Sequence, residues 1–222
     1  VQIAILGGTG ALGGGLALRL AHDTDHELSI GSRDPERAAD AAASYRETLA
    51  DRGVNSRIES GANPDAAAGA AVVVAAVPAT YVADTIETVA DRLHEDAIVV
   101  SPAVGIDAHA HGFDAAQPAP GSVTATAADA APASNPVVGA FHTLAAGRLS
   151  DLDAALEIDA LVVGDDPDAR DRIAALVEEI EGLRALDVGP LANAHGVECL
   201  TALQLTLMRQ NSALEDVGVR FR

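Results

Sequence analysis

Val1-Gln2-Ile3-Ala4-Ile5-Leu6 runs into Gly7-Gly8-Thr9-Gly10-Ala11-Leu12-Gly13, and this junction decides the fold. An apolar run of strand length breaks at a glycine turn. The turn opens a predicted helix over Leu12–Ala21, with Leu12, Leu16 and Leu20 on one face. Gly8, Gly10 and Gly13 have the GxGxxG spacing of a dinucleotide turn. On this reading Gly8 permits the sharp departure from the strand. Gly10 lets the backbone approach a pyrophosphate, and Gly13 lets the helix close on the sheet. Orphan N–H groups at the helix start would hold the phosphates, so Ala11 and Leu12 join the candidate contacts, and Thr9 can add a hydroxyl.

The second signal is Gly31-Ser32-Arg33, at the end of the next predicted strand, Glu27–Ile30. A chain that holds NAD normally carries an acid there, which receives the ribose hydroxyls. Here a hydroxyl and a guanidinium stand instead, with Arg37 four residues on, and such a set suits the 2′-phosphate of NADP.

Working outward, Asp34-Pro35 starts a helix that reaches Leu49, Arg57–Glu59 is a weak strand, and Asn63-Pro64 starts a short helix. Val72–Val77 is a strong strand closed by Pro78, Val82–Leu93 is helical, and Ala97–Val100 is a strand ending at Ser101-Pro102. This alternation predicts an α/β doubly wound parallel sheet, Rossmann-like. Periodicity fades from Gly105 to Pro136, which reads as a surface excursion with at most a short helix. Strands at Val137–Phe141 and within Ala155–Val163, a helix over Pro167–Glu181 and a strand over Arg184–Val188 follow. Gly189-Pro190 breaks the pattern, giving residues 1–188 as the NADP-binding domain and 189–222 as a small, mainly helical C-terminal domain. Its helix, Ala192–Leu214, offers Leu200, Leu203, Leu207 and Leu214 as candidate buried positions. So apolar a helix must pack on the sheet domain or on a second subunit.

The chain has 222 residues, 33 Asp and Glu against 14 Lys and Arg, and a formal net charge of −19. All the basic residues are Arg. This balance excludes nucleic acid and anionic membrane surfaces as partners. It matches the acidic bias of proteins from salt-loving organisms, where ions screen the self-repulsion. Cys199 is the single cysteine, so neither an intrachain disulfide nor a thiolate cluster can form. No secretory pattern or membrane-length apolar run is visible, so a cytoplasmic protein is expected.

The ordered set of motifs resembles the coenzyme F420-dependent NADP oxidoreductases of archaea and some actinobacteria. It runs from Ile5–Gly13 and Gly14–Leu20 through Gly31-Ser32-Arg33, Val99–Pro102 and His142-Thr143. It closes with Asp187–Leu191, Glu198–Thr201 and Leu207–Arg209. The resemblance implies NADP in the N-terminal domain, its 2′-phosphate on Thr9, Ser32, Arg33 and Arg37, and a deazaflavin over the nicotinamide. It also implies a homodimer, hydride transfer between NADP(H) and F420, and no metal. The family usually carries an aromatic where Ala79 stands and a proline where Ala145 stands, so the cleft edge departs from its pattern.

Ligands of open α/β sheets bind at the carboxyl ends of the strands. That adds Val77, Pro78, Pro102, Ala103, His142, Thr143 and Leu144 as cofactor-binding candidates. His142 would orient or hydrogen-bond a ring rather than act as a nucleophile; it could equally cap a helix. His195 reads as a helix-surface residue, His109 and His111 lack metal-ligand spacing, and Cys199 reads as a small core residue. Two alternatives remain at this point: a small NADPH-dependent reductase of a carbonyl or imine substrate, and a non-catalytic NADP-binding module.

Overall fold

The computed structural model describes residues 1–222. Its first half is built as the alternation predicts. Strand β1 (Gln2–Leu6) leads into α1 (Ala11–Asp23), β2 (Glu27–Ser32), α2 (Pro35–Ala50) and β3 (Ile58–Ala62). Then come α3 (Asn63–Ala67), β4 (Val72–Ala75), α4 (Val82–Val89) and β5 (Ile98–Ser101). Helix α2 starts where Asp34 accepts from the N–H groups of Glu36 and Arg37, with Pro35 in the first turn.

After β5 the chain makes a hairpin, β6 (Ile106–His109) and β7 (Gly112–Ala115), then α5 (Val123–Ala130) and β8 (Val137–Gly139). The short α6 (Ala146–Ser150), β9 (Ile158–Val163), α7 (Pro167–Glu178), β10 (Leu183–Gly189) and α8 (Ala194–Gln210) complete it. The eight-stranded sheet has the order β10-β9-β8-β5-β4-β1-β2-β3, and β6-β7 stands apart. Side chains on both sheet faces are buried: Ile3, Ile5 and Ile30 belong to the large core and Ala4, Leu6 and Val73 to the opposite layer. Each fully buried aliphatic contributes about 1.5–3 kcal/mol over an exposed one. No helix is long and apolar enough to cross a membrane.

Four expectations are corrected. The sheet is mixed rather than wholly parallel: β9 and β10 are parallel to each other, but β9 meets β8 antiparallel through Gly139 and Val163. The excursion holds a hairpin besides its helix, because α8 supplies the packing surface that the hairpin's polar sequence does not advertise; Thr206 Oγ1 accepts from the Phe113 N–H at 2.9 Å. Leu203 and Leu207 are exposed, at 52% and 41%, because α8 buries Ala194, Val197, Glu198, Ala202 and Gln204 instead; Leu214, at 39%, lies beyond the helix, which ends at Gln210 and not at Leu214. Cys199 lies on the exposed side and is not a core residue.

Arg19, buried on α1, donates to the carbonyls of Leu149, Arg148, Asp151 and Ala154. It fastens α1 to the α6 region. Asp159, fully buried on β9, receives Arg184 at 2.6 and 2.8 Å and the Phe221 N–H, tying the chain's last residues to the sheet. These bonds hold the Asp159 carboxyl below its usual range, Arg184 being the largest cause.

Candidate functional site

The turn after β1 shows why each glycine stands where it does. Gly7, not Gly8, takes the left-handed conformation at φ 75°, and a Cβ there would lie 2.5 Å from the Ala76 carbonyl oxygen. The sharp departure assigned to Gly8 therefore falls one residue earlier. Gly8 packs instead against Ile5 and Ile30, and its carbonyl accepts from the Tyr45 hydroxyl at 2.8 Å. A Cβ at Gly13 would meet the Gly7 oxygen at 2.7 Å, so this glycine does let α1 close on the strand. Gly10 and Ala11 are exposed, leaving the backbone at the start of α1 open to a ligand.

Beside this turn lies a cavity of about 410 Å³, lined by Gly7, Thr9, Gly10, Ser32, Arg33, Asp34 and Arg37 among others. The two sequence signals thus converge on one space, and Val77 and Pro78 form another wall of it. The Ser32 hydroxyl accepts from the Asp34 N–H at 3.1 Å and keeps its own proton for a ligand. Arg33 lies 5.0 Å from the ring centre of Tyr81, which steadies the guanidinium without neutralising it. Neither Arg33 nor Arg37 is in an ion pair, unlike Arg52, Arg57, Arg92, Arg170 and Arg184. On a chain of net charge −19, two guanidiniums without an ion pair in the wall of one cavity can receive an anion.

Among the lining residues that escaped the sequence reading are Asn63 and Tyr81. Asn63 is 6% exposed, and its Oδ1 has no hydrogen-bond partner. Its only sequence signal, Asn-Pro, reads as a helix start. Tyr81 stands three residues beyond Pro78, in the same short turn as Ala79, and puts an aromatic ring in the wall. Asp34, the one acid in this wall, is committed to capping α2. A space with an unpaired amide, a hydroxyl, two free guanidiniums and an open glycine turn fits the phosphorylated adenosine half of NADP.

The remaining candidates lie elsewhere. Pro102, Ala103, His142, Thr143 and Leu144 are buried at the ends of β5 and β8 and do not line this cavity. His142 follows Phe141, whose φ of 67° is left-handed and strained for an aromatic residue. The His142 ring is fully enclosed, and burial pushes its pKa down to about 4, so it is neutral at pH 7. Its Nε2 lies 3.1 Å from Thr124 Oγ1, which donates to the fully buried Glu198 at 2.9 Å. Thr124 and Glu198 also escaped the sequence reading, although Glu198 lies within one of the quoted motifs.

His195 sits at the start of α8 with Nε2 3.5 Å from Cys199 Sγ. It borders a larger cavity, about 900 Å³, lined by Ser122, Leu161, Val188, Leu191, Leu200 and Phe221 among others. His109 and His111 lie on the hairpin with ring centres 6.4 Å apart, and no three metal-ligating side chains gather anywhere in the chain.

Residues 2–105 match the family described as NADP oxidoreductase, coenzyme F420-dependent. The chain is 38% identical over 210 residues to the F420-dependent NADP reductase of Methanocaldococcus jannaschii, covering 93% of this chain and 92% of that one. It is 34% identical over 226 residues to the F420-dependent NADP reductase of Methanothermobacter thermautotrophicus, with 99% and 94% covered. A solved structure from Arthrobacter sp. FB24, provisionally described as an F420-dependent NADP reductase, superposes with a TM-score of 0.79 at 26% identity. It covers 99% of this chain and 98% of that one.

Proposed function

The chain belongs to the family of F420-dependent NADP reductases, and from that premise we propose how its residues serve hydride transfer between NADP(H) and the deazaflavin coenzyme F420. The protein is an oxidoreductase that uses both coenzymes. The observation that carries the reading to these particular residues is the cavity where the glycine turn meets unpaired Arg33 and Arg37.

Ser32, Arg33 and Arg37, with Thr9, bind the 2′-phosphate, and the backbone through Gly8, Gly10, Ala11, Leu12 and Gly13 holds the pyrophosphate. The nicotinamide then extends along the carboxyl edge of the sheet past Val77 and Pro78 toward Pro102, Ala103, His142, Thr143 and Leu144. The two coenzymes supply the chemistry, a hydride passing from one ring carbon to the other. The chain contributes ring placement at about 3–3.5 Å and exclusion of water. Residues 189–222 act as the small second unit that completes the deazaflavin cleft. Anaerobic mixing of metal-stripped protein, NADPH and F420 in molar salt tests this: loss of the deazaflavin absorbance is expected. Its persistence, with NADPH demonstrably bound, would overturn the reading.

Four further proposals attend this one. The exposed Leu203 and Leu207 support a homodimer with α8 at the interface. The charge of −19 without a single lysine supports a halophilic source, an archaeal one by the company of its relatives. The same charge supports small-molecule partners rather than nucleic acid or membrane, and a lone Cys199 suits the reducing cytoplasm.

A further inference from the structure

Glu198 reaches from α8 to the first turn of α5 and fixes more than that helix. An ionised carboxylate can only accept hydrogen bonds. Glu198 Oε2 receives the Val123 N–H at 3.0 Å, and Oε1 receives the Thr124 N–H and the Thr124 hydroxyl, each at 2.9 Å. The single hydroxyl proton of Thr124 is thereby directed at Glu198. What Thr124 Oγ1 turns toward His142 Nε2, 3.1 Å away, is a lone pair. A hydrogen bond across that gap needs the imidazole proton on Nε2. Nδ1 is then left with a bare lone pair, and it is buried without a partner.

The surroundings extend the pattern. The ring packs over Gly139, where a Cβ would lie 2.8 Å from its Cε1, so only glycine leaves room for it. Gly139 is paired in register with Ser101, whose fully buried hydroxyl also lacks a partner. Thr143, next in the chain after His142, has a second unpartnered buried hydroxyl. One acceptor and two hydroxyls, all unsatisfied, therefore collect at the ends of β5 and β8. Buried polar groups in folded proteins are nearly always paired, so a cluster of orphans marks a place where a ligand completes the set.

We propose that Glu198 and Thr124 are positioning residues that hold His142 in the Nε2–H form, so that Nδ1 accepts an amide N–H of a bound coenzyme while Ser101 or Thr143 donates to the adjoining carbonyl. This rests on the functional reading above. Amide beside carbonyl is chemistry that both coenzymes carry, in the nicotinamide carboxamide and in the lactam edge of the deazaflavin. Nδ1 is covered in the free chain, so contact requires the turn after Phe141 to shift on binding.

Nitrogen NMR of the uniformly ¹⁵N-labelled full chain tests both halves, with the His142 resonances assigned by their loss in His142→Gln. The free protein should show a protonated Nε2 and a bare Nδ1. Thr124→Val should release the ring into a mixture of the two forms, and Thr124→Ser should restore the single form, which a merely space-filling role would not produce. NADP⁺ added alone should shift the Nδ1 resonance if the carboxamide is the donor, and F420 alone if the deazaflavin edge is. A proton on Nδ1 in the free wild-type protein overturns the positioning claim, whatever the variants do. An Nδ1 resonance unmoved by either coenzyme at saturation overturns the ligand claim. Failure of both coenzymes to bind would overturn the functional reading and the ligand claim with it, while the free-state form still decides the positioning claim.

Discussion

His142 should make the fold acid-sensitive from about pH 6.5 downward, with the loss setting in above the ordinary carboxylate range. Its folded pKa is about 4, lowered by burial, against about 6.5 for an exposed histidine. The unfolded chain therefore takes a proton at pH values where the folded chain refuses it. Stability is complete above pH 6.5, falls as pH drops toward 4, and loses nothing more from this group below that. The full difference is about 3 kcal/mol, and at pH 5 about 2 kcal/mol should already be gone. For a chain of this length that is a fall in Tm of about 4–8 °C between pH 7.5 and pH 5. Asp153, Asp159 and Asp187 have folded pKa values lowered by their arginine and backbone partners. Their contributions are present above the ordinary carboxylate range and lost only as pH falls through it, toward the foot of this window and below. Calorimetry in 2 M KCl, which also mutes the changing surface charge, measures the shift. His142→Gln keeps an N–H for Thr124 and cannot titrate, so the pH dependence should vanish with it. An equal drop in the variant, or a flat wild-type curve, refutes the reasoning.

Arg33→Ala removes one charge-assisted contact of about 1.5–3 kcal/mol, so binding titrations should show NADP about 10–100-fold weaker with NAD little changed. Equal affinities for the two coenzymes in the parent protein would sink the phosphate assignment. Light scattering in 2 M KCl should give twice the mass of the chain, and Leu203→Asp combined with Leu207→Asp should halve it; a parent protein of single mass rejects the α8 interface. Thermal melts from 0.1 to 3 M KCl should rise in midpoint, because the screening length contracts from about 10 Å to below 3 Å. A flat series would identify an ordinary acidic protein.

What the sequence made legible was whatever local chemistry determines. Asp34-Pro35 and Pro167 mark helix starts because capping and a fixed φ act within one turn. The glycine turn and Ser32-Arg33-Arg37 could be read together because they end neighbouring parallel strands, and they do line one cavity. The direction of β9 against β8 was not legible. Its apolar run reads the same whether the chain enters from above or below, and only the path through α6 decides. The hairpin was hidden for a related reason: β6 and β7 pair over α8, nearly a hundred residues away in the chain. On α8 itself an apolar count could not separate the side facing its own domain from the side carrying Leu203 and Leu207. Glu198, read only as part of a motif, showed its use once α5 stood beside it.

The reversed pair β9-β10 has a consequence for how the molecule comes apart. One registered pair, Gly139 with Val163, joins it to β8, whereas β1 and β2 share five. With α7 between them, residues 158–189 form a self-paired unit that shares the large core through side chains such as Ile158, Val162 and Ile173, but meets β8 along a seam with little backbone hydrogen bonding across it. Such a unit is the natural candidate to open before the rest unfolds and to dock last as the chain folds. The amides of β1 and β4, deep in the sheet, would then record global unfolding, while those along the seam record a cheaper, partial excursion. Because Phe221 is anchored to β9 through Asp159, the chain's last segment would leave and return together with that unit.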